Sequence, residues 1–310
     1  MPNWCCNRMR FSAVPEQTAA IKALAEGAVT PFYRRATEEG IQLFVAGCVG
    51  LLQVTEEIQF IPYPALTAAG IGVLSPENLA FTRWLTQLQD GVLLDEKNSQ
   101  VLHEIWLQSG IGGRRWETLS DSTRNEISRL YAYKCHDWCG IWDRKDVAVW
   151  WTQLCDNPLP ARTNPFDLLL VLPSRLDVEI NGFNGKLLDG IPSAYNWYLS
   201  QYGTKWPVGY ELNICSQGSD FIVIDFDTPW SPVSEEVVAE LSKRYGCEVE
   251  HWFVEQGCNY CGYARYVKAE TEVYITDELE WGNADPDDED SFQDIIGPEW
   301  IINNVAHFGG

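Results

Sequence analysis

The chain has 310 residues, with 22 Lys and Arg against 44 Asp and Glu and a formal charge of -22. A hydrophobic content of 45%, an aromatic content of 13% and 14 Trp exclude a wholly disordered chain, and the length suits two domains. No stretch approaches the roughly 18 apolar residues of a membrane span, and the acidic balance argues against direct binding of a nucleic-acid backbone, where cations must replace counterions.

The first ten residues lack an apolar signal core, so secretion is not expected. The ten cysteines then read as reduced thiols of a cytoplasmic protein. Residues 5–12 alternate in character and predict a strand. Pro15 opens a helix through Ile21 and Leu24 that stops at Gly27, because proline suits a first helical turn and glycine a helix end. Residues 40–52 are apolar and punctuated by glycine, and either element type fits them. Residues 59–64 predict a strand running into a proline-stiffened loop.

From Ser75 the texture becomes helical. Ser75-Pro76-Glu77 is a good helix start, and further helices are predicted near 98–109, 121–134 and 144–155. Residues 157–165 are a turn-rich connector, and 167–176 an apolar run of either type. Residues 194–202 predict a short helix, and 208–215 and 221–227 two strands joined as a hairpin. Ser231-Pro232 opens a helix with an apolar face of Val237, Val238, Leu241 and Tyr245, and strands follow at 248–254 and 262–267. This order predicts an α+β fold, an antiparallel sheet with helices on one face and a mainly helical middle.

After Lys268 there is no Lys or Arg, while 12 acids follow. The densest run, Asp285, Asp287, Asp288, Glu289 and Asp290, repels itself and predicts an extended, solvated loop. Its apolar flanks, Trp281 and Trp300-Ile301-Ile302, predict that the chain returns and docks.

Four dispersed segments carry a family resemblance. The opening Met1-Pro2-Asn3-Trp4-Cys5-Cys6-Asn7 resembles the MPNWCxN start of YubB-type proteins of plasmids and phages. Residues 202–206 (Tyr-Gly-Thr-Lys-Trp) and 226–232 (Phe-Asp-Thr-Pro-Trp-Ser-Pro) resemble that family's WGTKW and FDTAWSPP motifs, with Tyr202, Pro229 and Val233 as departures. Glu255-Gln256-Gly257 resembles its Y-x-E-x-G stretch. The resemblance implies a split ferredoxin-like domain from 1–66 and 192–276 with a helical insertion at 67–191, and the charge distribution sets off an acidic segment at 277–310. That name denotes a topology and brings no iron–sulfur cluster. The family's mobile-element setting implies a counter-defence or establishment role.

Catalytic signatures are weak. Cys135, Cys139, Cys258 and Cys261 are candidate zinc ligands, since a Cys-x-x-Cys turn can aim two sulfurs at one metal. The first pair has wider spacing, so no cofactor is expected and zinc stays the alternative. Asp225 and Asp227 share a strand face and can hold Mg²⁺ or Mn²⁺, with a polar strand edge as the plainer reading. Gly110-Ile111-Gly112-Gly113 lacks the strand and Lys-Ser/Thr of a phosphate loop and reads as a tight turn. A Cys–His nucleophile needs distant partners, such as Cys139 or Cys258 with His251. Trp206 and Trp230 sit beside prolines in the motifs, as core rim or as a platform for a partner.

The expected function is therefore a non-enzymatic interaction protein. Trp206, Trp230 and the carboxylates of 285–290 would engage a host protein through its basic surface, without membrane or direct nucleic-acid contact. A metal-dependent or small-ligand enzyme with a groove between sheet and insertion, and a plasmid maintenance or assembly factor, are the alternatives.

Overall fold

The computed structural model of the chain describes residues 3–140, 144–283 and 293–310. β1 (Trp4–Ser12) and α1 (Pro15–Ala25) come first. Then follow α2 (Phe32–Cys48), α3 (Pro76–Gln89), α4 (Glu96–Ser109), α5 (Asp121–Cys139), α6 (Val147–Asp156), α7 (Leu176–Asn181) and α8 (Ala194–Tyr202). The last third holds β2 (Tyr210–Gln217), β3 (Phe221–Pro229), α9 (Glu235–Arg244), β4 (Glu248–Glu255), β5 (Tyr260–Val267) and β6 (Glu270–Asp277). Short β7 (Glu280–Trp281), β8 (Ile295–Gly297) and α10 (Glu299–Ile302) complete it.

These elements form two units. The first takes in β1, α1, residues 162–172 and the described residues from Tyr198 onward; the second takes the described parts of 30–161 and 173–197.

The first unit is built on a six-stranded antiparallel sheet in the order β2-β3-β1-β4-β5-β6. Read without β5 and β6, the path β1-α1-β2-β3-α9-β4 with order β2-β3-β1-β4 is the ferredoxin-like βαββαβ topology. Strand alternation explains what each face carries. Cys5, Asn7, Met9 and Phe11 of β1 pair with Thr228, Phe226, Ile224 and Ile222 on one side, and all eight are buried. α1 and α9 pack there, burying Ile21, Leu24, Val237, Val238 and Leu241. Trp4, Cys6, Arg8 and Arg10 project to the opposite face. Cys6 is nonetheless fully buried, because Leu279 and Ile301 close over it with Val254 and Cys261, edged by Trp300, Ile302 and Phe308. The chain does return to dock after the acidic run, which itself lies outside the described residues.

The second unit is helical. Side chains of Ser75, Asp95 and Ser120 cap α3, α4 and α5 by accepting from the backbone N–H of Asn78, Asn98 and Thr123. The Gly110 segment is a left-handed helix end followed by a short 3₁₀ turn, as its composition predicts.

Three sequence expectations need correction. Residues 59–64 are not a strand: Pro62 and Pro64 supply no N–H, and Tyr63 N–H bonds back to the Phe60 carbonyl at 3.1 Å in a turn. The helix expected from Ser231 starts at Glu235, where Ser234 is the cap and the Ser231 carbonyl is taken by Thr228. The helical unit begins at residue 30, not 67, because α2 buries Gly40 to Gly47 among helices of that unit.

Candidate functional site

The motif segments meet at one corner of the sheet, and short polar side chains tie them there. The Asn3 carbonyl accepts from Trp230 N–H at 2.8 Å, and Asn7 Nδ2 donates to Thr228 Oγ1 at 2.8 Å. Thr228 in turn donates to the Ser231 carbonyl at 2.6 Å, and Thr204 to the Pro229 carbonyl at 3.3 Å. Glu255 is fully buried and accepts from Gly257 and Cys258 N–H at 2.8 and 2.6 Å. These motif positions therefore hold the corner together, the buried side chains of Asn7, Thr204, Thr228 and Glu255 each meeting a hydrogen-bond partner.

The ties present an aromatic seat. Trp4, Trp206 and Tyr210 form a three-ring cluster with centroids 4.9 to 6.4 Å apart. Lys205 lies between two indoles, its Nζ 4.4 Å from the Trp206 ring centroid and 3.6 Å from that of Trp230, a double cation–π contact. Trp230 has left-handed backbone (φ 74°) and is 41% exposed, so the turn holds its ring at the surface. Trp206 and Trp230, singled out separately in the sequence, are thus joined through Lys205.

Beside the seat lies a cavity of about 280 Å³ lined by Trp4, Tyr210, Glu211, Asp227, His307 and the glycines 309 and 310. Cys6 pairs with Asp227 across β1 and β3, which puts both side chains on the same sheet face. The segment after α10 lays His307 over them, its Nε2 3.0 Å from Asp227 Oδ1. Gln256 fixes that segment: its N–H donates to the Phe308 carbonyl and its Nε2 to the Gly309 carbonyl, both at 3.0 Å. Gly309 N–H donates to His307 Nδ1 at 3.1 Å, so Nε2 carries the ring proton offered to Asp227. Burial pushes the Cys6 thiol up to about 11 and raises the Asp227 carboxyl, which the His307 ring partly offsets.

Asp225 shares the face with Asp227, as alternation predicts, but has a different role. Arg8 takes both its oxygens in a bidentate pair, Nε at 2.6 Å and Nη2 at 2.7 Å. Asp285, Asp287, Asp288, Glu289 and Asp290 lie outside the described residues. Cys135 and Cys139 are on α5 in the helical unit, where their sulfurs donate to the Ala132 carbonyl and Tyr131 hydroxyl. Cys258 is exposed in a 3₁₀ turn, whereas Cys261 is buried on β5 and bonded to the Asp277 carbonyl. His251 is buried beneath the sheet against Asn7 Oδ1, away from solvent. Among the described residues, the three potential metal-ligating side chains that come together are Cys6, Asp227 and His307. Sequence reading did not assemble them: each comes from a different segment, and no spacing links them.

Sheet order, split topology and the inserted helices define a ferredoxin-like protein carrying a helical unit. The chain belongs to the family described as Protein of unknown function (DUF1281), matched over residues 30–206, and residues 209–298 match the Ferredoxin-like domain in Api92-like protein. The family segment starts where the helical unit starts. The uncharacterized protein YubA of Escherichia coli K12 is 66% identical over 162 residues, 52% of this chain and 96% of that protein. The uncharacterized protein YubB of the same strain is 56% identical over 146 residues, 47% of this chain and 99% of its own. The crystal structure of a protein api92 from Yersinia pseudotuberculosis superposes with a TM-score of 0.84 at 31% identity, covering 91% of this chain and 100% of that one. Among the described residues, no helix is long and apolar enough to cross a membrane.

Proposed function

We propose that this is a non-enzymatic interaction protein of a mobile genetic element, acting in the cytoplasm on a host protein with a basic surface, such as a defence or DNA-processing factor. The observation that carries the reading is the aromatic seat: Trp206 and Trp230 already grip one ammonium, that of Lys205, Trp230 stays 41% exposed, and Trp4, packed against Trp206, lines the same cavity as the carboxylates Asp227 and Glu211. Indole faces next to carboxylates suit an arriving Lys or Arg, and the charge of -22 steers a basic partner toward the chain. The acids at 285–290 add to that field. The YubB-type motifs supply the mobile-element setting.

The test is capture of a partner from nuclease-treated bacterial lysate by the tagged full chain, compared with Trp230→Ala. The reading expects a near-stoichiometric basic protein that survives nuclease, is released as salt rises, and is lost from the variant. An empty capture, or a partner indifferent to both salt and Trp230, overturns it.

A further inference from the structure

The cavity beside the seat has a second property, independent of any partner. Two residues that line it, Asp227 and His307, lie next to the buried Cys6, and the three offer donor types that metalloproteins combine. One ligand atom each from Cys6, Asp227 and His307 lies within 4.8 Å of the other two. In a tetrahedral site with bonds of about 2.0–2.3 Å, ligand atoms stand about 3.3–3.8 Å apart, so adjustments of about 1 Å complete the geometry. The backbone that carries each donor is already fixed. Cys6 and Asp227 are paired strand residues, and the His307 segment is tied to Gln256 on one side and, through Gly310 N–H at 3.0 Å, to the Trp4 carbonyl on the other.

A fourth donor stands close. Glu211 lines the same cavity and sits where β2 breaks register with β3, in left-handed backbone (φ 47°). A bulge of this kind re-aims a side chain, and strain at a non-glycine residue persists where the surroundings hold it. Asp225 is excluded as a ligand, since Arg8 occupies both its oxygens.

We propose that Cys6, Asp227 and His307 bind a borderline transition-metal dication of the zinc class, with the fourth position facing the cavity toward Glu211 or water. A thiol in the set disfavours Mg²⁺ and Ca²⁺, and mixed sulfur, nitrogen and oxygen donors suit zinc or cobalt. The proton balance is defined. The metal takes the Cys6 sulfur as thiolate and releases its proton to solvent. At His307 the metal replaces the proton on Nε2, which moves to Nδ1, and the bond from Gly309 is given up.

The test uses the full chain stripped with chelator and titrated with Co²⁺. The proposal expects one equivalent bound, with tetrahedral visible absorption and a thiolate-to-cobalt charge-transfer band. Cys6→Ser removes the band at unchanged far-ultraviolet dichroism, and Asp227→Asn weakens binding by at least about tenfold. Should the buried Cys6→Ser variant not fold, half-exposed His307→Gln decides, and binding must fall by a similar factor. Absence of the band, a band that survives Cys6→Ser but vanishes in Cys258→Ser with Cys261→Ser, or His307→Gln binding like the parent chain each overturns the site.

Discussion

His251 Nε2 lies 3.0 Å from the side-chain carbonyl of Asn7, in the core beneath the sheet. The Asn7 amide nitrogen is spent on the Cys5 carbonyl and Thr228 Oγ1, so its oxygen faces the ring and Nε2 donates. Burial penalises the imidazolium and lowers the His251 pKa from 6.5 to about 3. Between those values the unfolded chain takes up a proton that the folded chain refuses. Stability from this group is full above about pH 6.5 and falls as the pH drops toward 3, by up to about 1.4 kcal/mol per unit. Urea unfolding of the parent chain and of His251→Gln, from neutral pH to pH ~4.5, reads the difference. The parent must lose stability faster, by close to one proton's slope; parallel curves refute the assignment.

Glu39 titrates with the opposite sign. It is buried on α2, its Oε1 2.7 Å from His103 Nδ1, while Oε2 meets no hydrogen-bond partner among the described residues. Burial raises its pKa from 4.5 to about 8, so near neutrality the folded chain keeps a proton that the unfolded chain has lost. Its cost to stability grows as pH rises above 4.5. Glu39→Gln keeps a donor for His103 and removes that cost. The variant is expected to gain on the order of 2 kcal/mol at pH ~7 and almost nothing near pH ~4.5, seen as a pH-dependent rise in melting temperature. A loss at neutral pH would show that ionised Glu39 stabilises the fold.

Gly203 is the hinge of the turn that delivers Lys205. Its φ is +74°, and a Cβ there would stand 2.8 Å from the Pro232 carbonyl oxygen, an atom of the backbone. Gly203→Ala is expected to cost about 1–3 kcal/mol and to change tryptophan emission, because the strain falls beside Trp206 and Trp230. Denaturant unfolding followed by fluorescence measures both. Unchanged stability would mean that the turn has room.

β5 and β6 are joined through Lys268 and Ala269, with φ of 52° and 71°. A two-residue hairpin loop with both residues left-handed normally carries Asn or Gly. Ala269→Gly relieves the second position and keeps the N–H that donates to Ser242 Oγ at 3.1 Å. The expected gain is about 0.5–1 kcal/mol in thermal or urea unfolding, and a loss would argue against the turn type.

That same turn shows why some of the fold escaped sequence reading. β6 is an exposed edge strand introduced by a turn without its usual residues, so neither alternation nor turn chemistry announced it. β1, α1, α3 and α9's apolar face were legible, because each is locally amphipathic and either capped or stopped by Ser, Pro or Gly. α2 was ambiguous, since helix surrounds its apolar residues on several sides and erases the period. At the site, strand alternation foretold that Asp225 and Asp227 share a face. That Arg8 neutralises one, and His307 reaches the other, depends on pairing between segments far apart in sequence.

The split of the sheet has a consequence for how the chain acquires its structure. β1 lies between β3 and β4, and every residue of the helical unit is synthesised between β1 and those partners. Helices that contact their sequence neighbours can organise while the ribosome is still elongating, whereas β1 must wait for the last third of the chain. Until then Trp4, Cys5, Met9 and Phe11 are an unpaired apolar strand, a ready substrate for holdase chaperones and for self-association. Refolding yield should therefore depend more on protein concentration than the final, closed sheet would suggest, and substitutions in β3 should slow maturation more than equally destabilising ones in α3 or α4.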